Sequence, residues 1–236
     1  MMRQFWLLLI WLLVCAVPVQ AKVYLVSVGI ADYPGTKSDL RVSDNDAKTI
    51  AKVFQATKEA SVSVLVNGGA TQAALLSTMH SAFANAQSDD AVILYFSGHG
   101  TPGAIVCYDG ELTYQHIFKM LKGCKASQKI IIADACYSGK MRTTKQQSTN
   151  YNSQSVMLFL SSRTNEPSKE TKFKNSLFTI FLERGLRGGA DVNKDRRITA
   201  PELYEFVHKG VIEASKNKQH PVMWGKFDNN MTVIKW

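Results

Sequence analysis

Residues 22–30 (KVYLVSVGI) are almost uninterruptedly apolar and β-branched, the pattern of a strand buried on both faces. Residues 91–96, 129–133 and 155–160 repeat it. A strand hidden on both sides needs cover above and below, and the intervening sequence supplies helices. The Ser43-Asp44-Asn45-Asp46 group offers N-caps for a helix running to about Ala56. Residues 61–66 read as another strand, closed by Asn67-Gly68-Gly69, after which Thr71 opens a helix with Leu75, Leu76, Met79 and Phe83 as its apolar positions. Helices are predicted over 112–121, 175–186 and 201–213, and a last short strand over 231–234. Strands alternating with helices predict one α/β domain around a mostly parallel sheet. Residues 140–152 are polar and lack periodicity, so they read as a long loop.

Ahead of this pattern, Met1-Met2-Arg3-Gln4 and the apolar run 5–17 lead to the small residues Val19 and Ala21. That is the layout of a secretory signal peptide cleaved after Ala21, which places the domain over 22–236 and outside the cytoplasm, in the periplasm or the medium. The run is shorter than the ~20 residues a bilayer span needs, so no stable membrane anchor is expected once it is removed. The bulky Val14 argues against a lipid anchor at Cys15.

The chain carries a net charge of +9, or +8 without Arg3 of the leader. Its lysines and arginines are scattered and lack interleaved aromatics, so a solvated basic face is expected and no nucleic-acid partner. The mature chain keeps Cys107, Cys124 and Cys136. An odd count leaves at least one thiol outside any internal bridge. Cys107 and Cys124 either pair or are both buried structural thiols.

Two strands end unusually. Residues 93–96 run straight into Ser97-Gly98-His99-Gly100, and residues 130–133 into Asp134-Ala135-Cys136-Tyr137-Ser138-Gly139. Ligands of open parallel sheets bind at the carboxyl ends of strands. If these two strands are neighbours, His99 and Cys136 share one edge. A thiol is mostly protonated at neutral pH, and an adjacent imidazole makes the thiolate available. The resulting acyl intermediate needs N–H donors for its oxyanion, and the backbone amides of Gly100 and Cys136 are candidates. Glycines on both sides of His99 permit close approach of a substrate backbone.

These motifs resemble the caspase-like cysteine peptidases, in particular bacterial metacaspase-like proteins, which carry the base in Ser-Gly-His-Gly and the nucleophile in Asp-x-Cys-x-Ser-Gly. Residues 26–30 with Ser43-Asp44-Asn45-Asp46-Ala47 look like the family's first strand and helix. Ser161-Ser162-Arg163 and Ser176-Leu177-Phe178-Thr179 look like the stretch after the nucleophile, so the likeness runs from residue 22 to about 211. It implies a three-layer caspase-hemoglobinase fold with a mostly parallel six-stranded sheet flanked by helices. It also implies peptide-bond hydrolysis through a thioester on Cys136 with His99 as base. At the positions where metacaspases place acids to hold a basic residue, this chain has Asp46 and Asp134. The resemblance therefore implies protein or peptide substrates cut after Arg or Lys, bidentate pairing favouring Arg. Lys140, Arg142 and Lys145 then make the polar loop a candidate self-cleavage site.

Residues 191–202 set oxygen ligands at positions 1, 3, 5 and 12 of an EF-hand-like loop, but Arg196 stands where that loop needs glycine. A polar turn capping the next helix is the expectation. No cofactor is required by the sequence, although the family analogy admits calcium. His80, His116, His208 and His220 show no zinc-ligand spacing with the cysteines, and no phosphate-binding glycine loop is present. Two other readings remain: a catalytically idle caspase-like module that binds peptides or proteins, and an acyltransferase using the same dyad.

Overall fold

A computed structural model describes residues 21–135, 156–162, 174–225 and 227–236. Five parallel strands form the middle of the molecule: β1 (Val23–Gly29), β2 (Ala60–Val66), β3 (Ala91–Gly98), β7 (Gln128–Ala135) and β8 (Val156–Leu160). An antiparallel sixth strand, β10 (Val222–Gly225), closes one edge, giving the order β10-β8-β7-β3-β1-β2. All eight residues of β3 and all five of β8 are buried, as their unbroken apolar sequence requires.

Alternate residues face opposite layers. Val92, Leu94 and Phe96 pack with Leu75, Met79 and Phe83 of α2 (Gln72–Phe83) and with Ile117, Phe118 and Leu121 of α3 (Tyr114–Lys122). Ile93 and Tyr95 pack on the other side. There they meet Ile50 and Phe54 of α1 (Ser43–Gln55), Phe178 and Leu182 of α4 (Leu177–Arg184), and Leu203 and Val207 of α5 (Ala200–Ala214). Each large apolar side chain fully withdrawn from water contributes about 1.5–3 kcal/mol, so the two layers carry the fold.

The structure corrects or sharpens four expectations. The helix expected over 112–121 starts at Tyr114, and residues 110–113 before it are a strand. They form β6 (Gly110–Thr113), which joins β5 (Ala104–Cys107) and β4 (Gly100–Thr101) in a small antiparallel sheet directly after β3. The short strand expected near 231–234 is β11 (Thr232–Lys235), and it does not join the main sheet. It pairs instead with β9 (Arg197–Thr199). The helix expected from 175 begins at Leu177, because the Ser176 side chain accepts the Thr179 N–H as N-cap. Cys107 and Cys124 are free thiols, which removes the bridge between them.

Candidate active site

Parallel register decides which strand ends meet. Gly29 lies opposite Ser97, Ser97 opposite Asp134, and Gly98 opposite Ala135. β3 therefore delivers His99 beside the point where the chain leaves β7. Cys136 is the next residue in sequence; it lies outside the described residues, as do residues 140–152 with Lys140, Arg142 and Lys145.

His99 is half-buried and tied at three points. Its Nε2 lies 2.7 Å from the carbonyl oxygen of Ser38. A carbonyl only accepts, so Nε2 carries the proton and Nδ1 keeps its lone pair. The His99 backbone N–H donates to the hydroxyl of Tyr33 (2.9 Å), and its carbonyl accepts the Val106 N–H (3.0 Å). The Tyr33 ring lies against the imidazole, centroids 4.8 Å apart.

The loop supplying Tyr33 and Ser38 is itself pinned. Asn67 accepts the backbone N–H groups of Ala31 and Asp32, Asp39 accepts that of Tyr33, and Leu40 N–H donates to the Ala31 carbonyl. An open cleft of about 450 Å³ runs past His99, lined among others by Tyr33, Ser38, Gly100 and Tyr108. Gly100 opens β4 and is half-buried. Cys107, on the same cleft, is buried to 1% exposure, and that burial pushes its thiol up to about 12; it is unsuited to act as a nucleophile.

A second polar centre lies inside the sheet–helix layer. Asp46, in the first turn of α1, is completely buried, and Asp134 on β7 nearly so. Both accept from Ser176: Asp46 Oδ1 from its N–H (3.0 Å) and Asp134 Oδ2 from its hydroxyl. Asp46 also accepts from Asn175 Nδ2 (2.8 Å) and Ser97 Oγ (2.9 Å). Asp134 accepts from Thr179 Oγ1 (3.0 Å), which in turn receives the Tyr95 hydroxyl at 2.6 Å. Burial, then repulsion from Asp134, push the Asp46 carboxyl up to about 7, against the pull of its three donors. Neither aspartate lines the His99 cleft.

The structure thus brings Asp46 and Asp134 to one centre and His99 and Gly100 to another, both at the carboxyl ends of β3 and β7. Sequence reasoning missed the Ser38 carbonyl, Tyr33, and the Ser176–Thr179–Asn175 scaffold. Only Ser176-Leu177-Phe178-Thr179 carried a signal for any of these. The EF-hand-like segment is a turn in which Asp191, Asn193 and Asp195 accept backbone N–H groups of residues 195–197. Arg196 sits there at φ 63°, the conformation for which that loop uses glycine. Among the described residues, no cluster of His, Cys, Asp or Glu is arranged to hold a metal ion. No helix among them is long and apolar enough to cross a membrane.

A mostly parallel six-stranded sheet with helices on both faces, and its polar residues gathered at the carboxyl ends of the central strands, is the architecture of the caspase-hemoglobinase class. The chain belongs to the caspase family: the model described as Caspase domain matches residues 23–231. Members of that family are cysteine endopeptidases. Caspase-1 from Spodoptera frugiperda has the same fold, with a TM-score of 0.70 and 15% identity over 91% of this chain and 90% of that one. A protein from Geobacter sulfurreducens is similar at a TM-score of 0.66 and 18% identity, over 88% of this chain and 94% of that one. No curated protein matches the sequence.

Proposed function

We propose that the chain is an exported cysteine endopeptidase that cuts after arginine or lysine, with Cys136 as nucleophile and His99 as base. The observation that carries this reading is the tether of His99 Nε2 to the Ser38 carbonyl. It leaves Nδ1 as proton acceptor beside the strand end from which Cys136 follows. The Cys136 thiol gives its proton to Nδ1, and the thiolate adds to the peptide carbonyl. The leaving amine takes that proton, and water then hydrolyses the thioester. The Gly100 and Cys136 amides are the donors for the oxyanion.

The preference for basic residues rests on Asp46 and Asp134. Two carboxylates held this close in a dry interior repel each other, and a guanidinium or ammonium is the group that relieves them. Export rests on the leader alone. The mechanism needs no nucleic acid and no metal; calcium is an optional effector by family analogy.

Purified chain and its Cys136→Ala variant, assayed on fluorogenic peptides ending in Arg, Lys or Asp with and without calcium, test the reading. Hydrolysis after Arg or Lys that vanishes in the variant is expected. Cleavage after Asp would overturn the specificity, transfer of the acyl group to an added amine would reassign the reaction, and no cleavage at all would leave a peptide-binding caspase-like domain.

A further inference from the structure

The antiparallel pairing that follows β3 is incomplete at one place, and a side chain completes it. Gly100 is opposite Ile105 and Thr101 opposite Ala104, so His99 falls opposite Val106. Facing residues at a hydrogen-bonded position normally exchange two bonds, each amide to the other's carbonyl. Here the Val106 N–H reaches the His99 carbonyl directly at 3.0 Å, but the return bond is interrupted. The Tyr33 hydroxyl stands in it, accepting the His99 N–H at 2.9 Å and donating to the Val106 carbonyl at 3.1 Å.

Tyr33 is 5% exposed, and burial pushes its hydroxyl up to about 12, so it holds its proton and keeps the relay polarity fixed at any physiological pH. The approach is possible because residue 98 lacks a side chain: a Cβ there would stand 2.7 Å from Tyr33 Oη and 2.8 Å from the Phe96 ring. The Tyr33 ring flanks the imidazole, and Ser38, five residues on in the same loop, holds its Nε2.

We infer that Tyr33 is a positioning residue for His99: its hydroxyl wedges the backbone between His99 and Val106 and its ring orients the imidazole whose Nε2 the Ser38 carbonyl holds. This rests on the reading of His99 as the base. Tyr33 itself touches no reacting atom. Gly98 follows from the same idea, since the glycine next to the histidine makes room for the tyrosine hydroxyl. The titratable groups sharing the cleft with His99 are Tyr33, Cys107 and Tyr108, and Asp39 reaches the Tyr33 backbone N–H.

The test uses full-length wild type, Tyr33→Phe and Tyr114→Phe, the last a control because the buried Tyr114 hydroxyl has no hydrogen-bond partner among the described residues. Each is assayed on the arginine peptide across pH and inspected by ring 15N NMR, with His99→Gln to identify its signal among five histidines. For Tyr33→Phe the expectation is a fall in kcat of about tenfold or more with KM within about threefold, as for a displaced catalytic group. Its acid limb should shift, and the His99 ring signals should move away from the Nε2-protonated pattern, while Tyr114→Phe matches wild type. Tyr33→Phe indistinguishable from Tyr114→Phe in kcat, pH profile and ring signals would overturn the inference. If wild type cuts no peptide, the catalytic reading fails on that result, and the His99 ring signals alone decide whether Tyr33 orients the imidazole.

Discussion

The two polar centres at the end of the sheet are built in opposite ways. His99 is half-open to water and held almost entirely by backbone: a carbonyl on its ring, an amide on its own carbonyl, and one tyrosine hydroxyl between. Asp46 and Asp134 are sealed in and held mainly by side chains from β3 and from α4 with the two residues before it. A group that must pass protons to a substrate needs water-side access and a fixed tautomer. Groups that are to select a charge gain strength from the low dielectric around them. On the proposed function, both demands fall at one strand-end register, where Ser97 lies opposite Asp134 and His99 follows Gly98.

The largest test of this contrast is His99→Ala, expected to lower kcat/KM by about a thousandfold or more while leaving thermal stability nearly unchanged, because the ring is at the surface of the cleft. A large loss of stability would mean that His99 is structural. Asp46→Asn should do the reverse of a dyad mutation. The amide oxygen can still accept from Asn175 and Ser176, and its nitrogen can donate to Ser97, so the chain folds. Selectivity for arginine over norleucine peptides should nonetheless fall by about thirtyfold or more. An unchanged selectivity ratio would separate the carboxylate pair from substrate recognition.

Gly98→Ala sharpens the contrast from the histidine side. Its new methyl would press on Tyr33 and Phe96, costing about 1–3 kcal/mol by chemical denaturation, with activity falling alongside.

The smallest effect is in pH. The Asp46 carboxyl keeps its proton in the folded protein up to about 7, whereas the unfolded chain loses it near 3.8. The folded state binds the extra proton in between, so this group's contribution to stability is full below pH 4 and declines as pH rises toward 7. Melting scans should show Tm falling by a few degrees more across that window in wild type than in Asp46→Asn. Parallel curves would mean that the carboxyl is already ionised at low pH.

Strands that are apolar on both faces announce themselves, which is why β1, β3, β7 and β8 were legible in the sequence and with them the α/β class. The small sheet β4–β6 was not, because strands of two to four residues show no period; the stretch around Leu112 read as helix for the same reason. Asp46 and Asp134 were legible only through the resemblance, since nothing local in either motif points to a partner 88 residues away. The Ser38 tether could not be read at all: any residue carries a carbonyl, and only the path of the loop aims this one at His99. Tyr33 had no signal beyond being an aromatic residue after a strand.

Ser176 bridges carboxylates that lie 130 and 42 positions before it in the chain. Contacts of such separation form late, after the loops between them have closed. A chain emerging from synthesis therefore holds His99 and Asp46 long before it holds the scaffold that joins Asp46 to Asp134. Until α4 docks, Asp46 and Asp134 lack the Ser176 amide and hydroxyl that join them, so under the proposed function a half-made chain is without its completed specificity pocket.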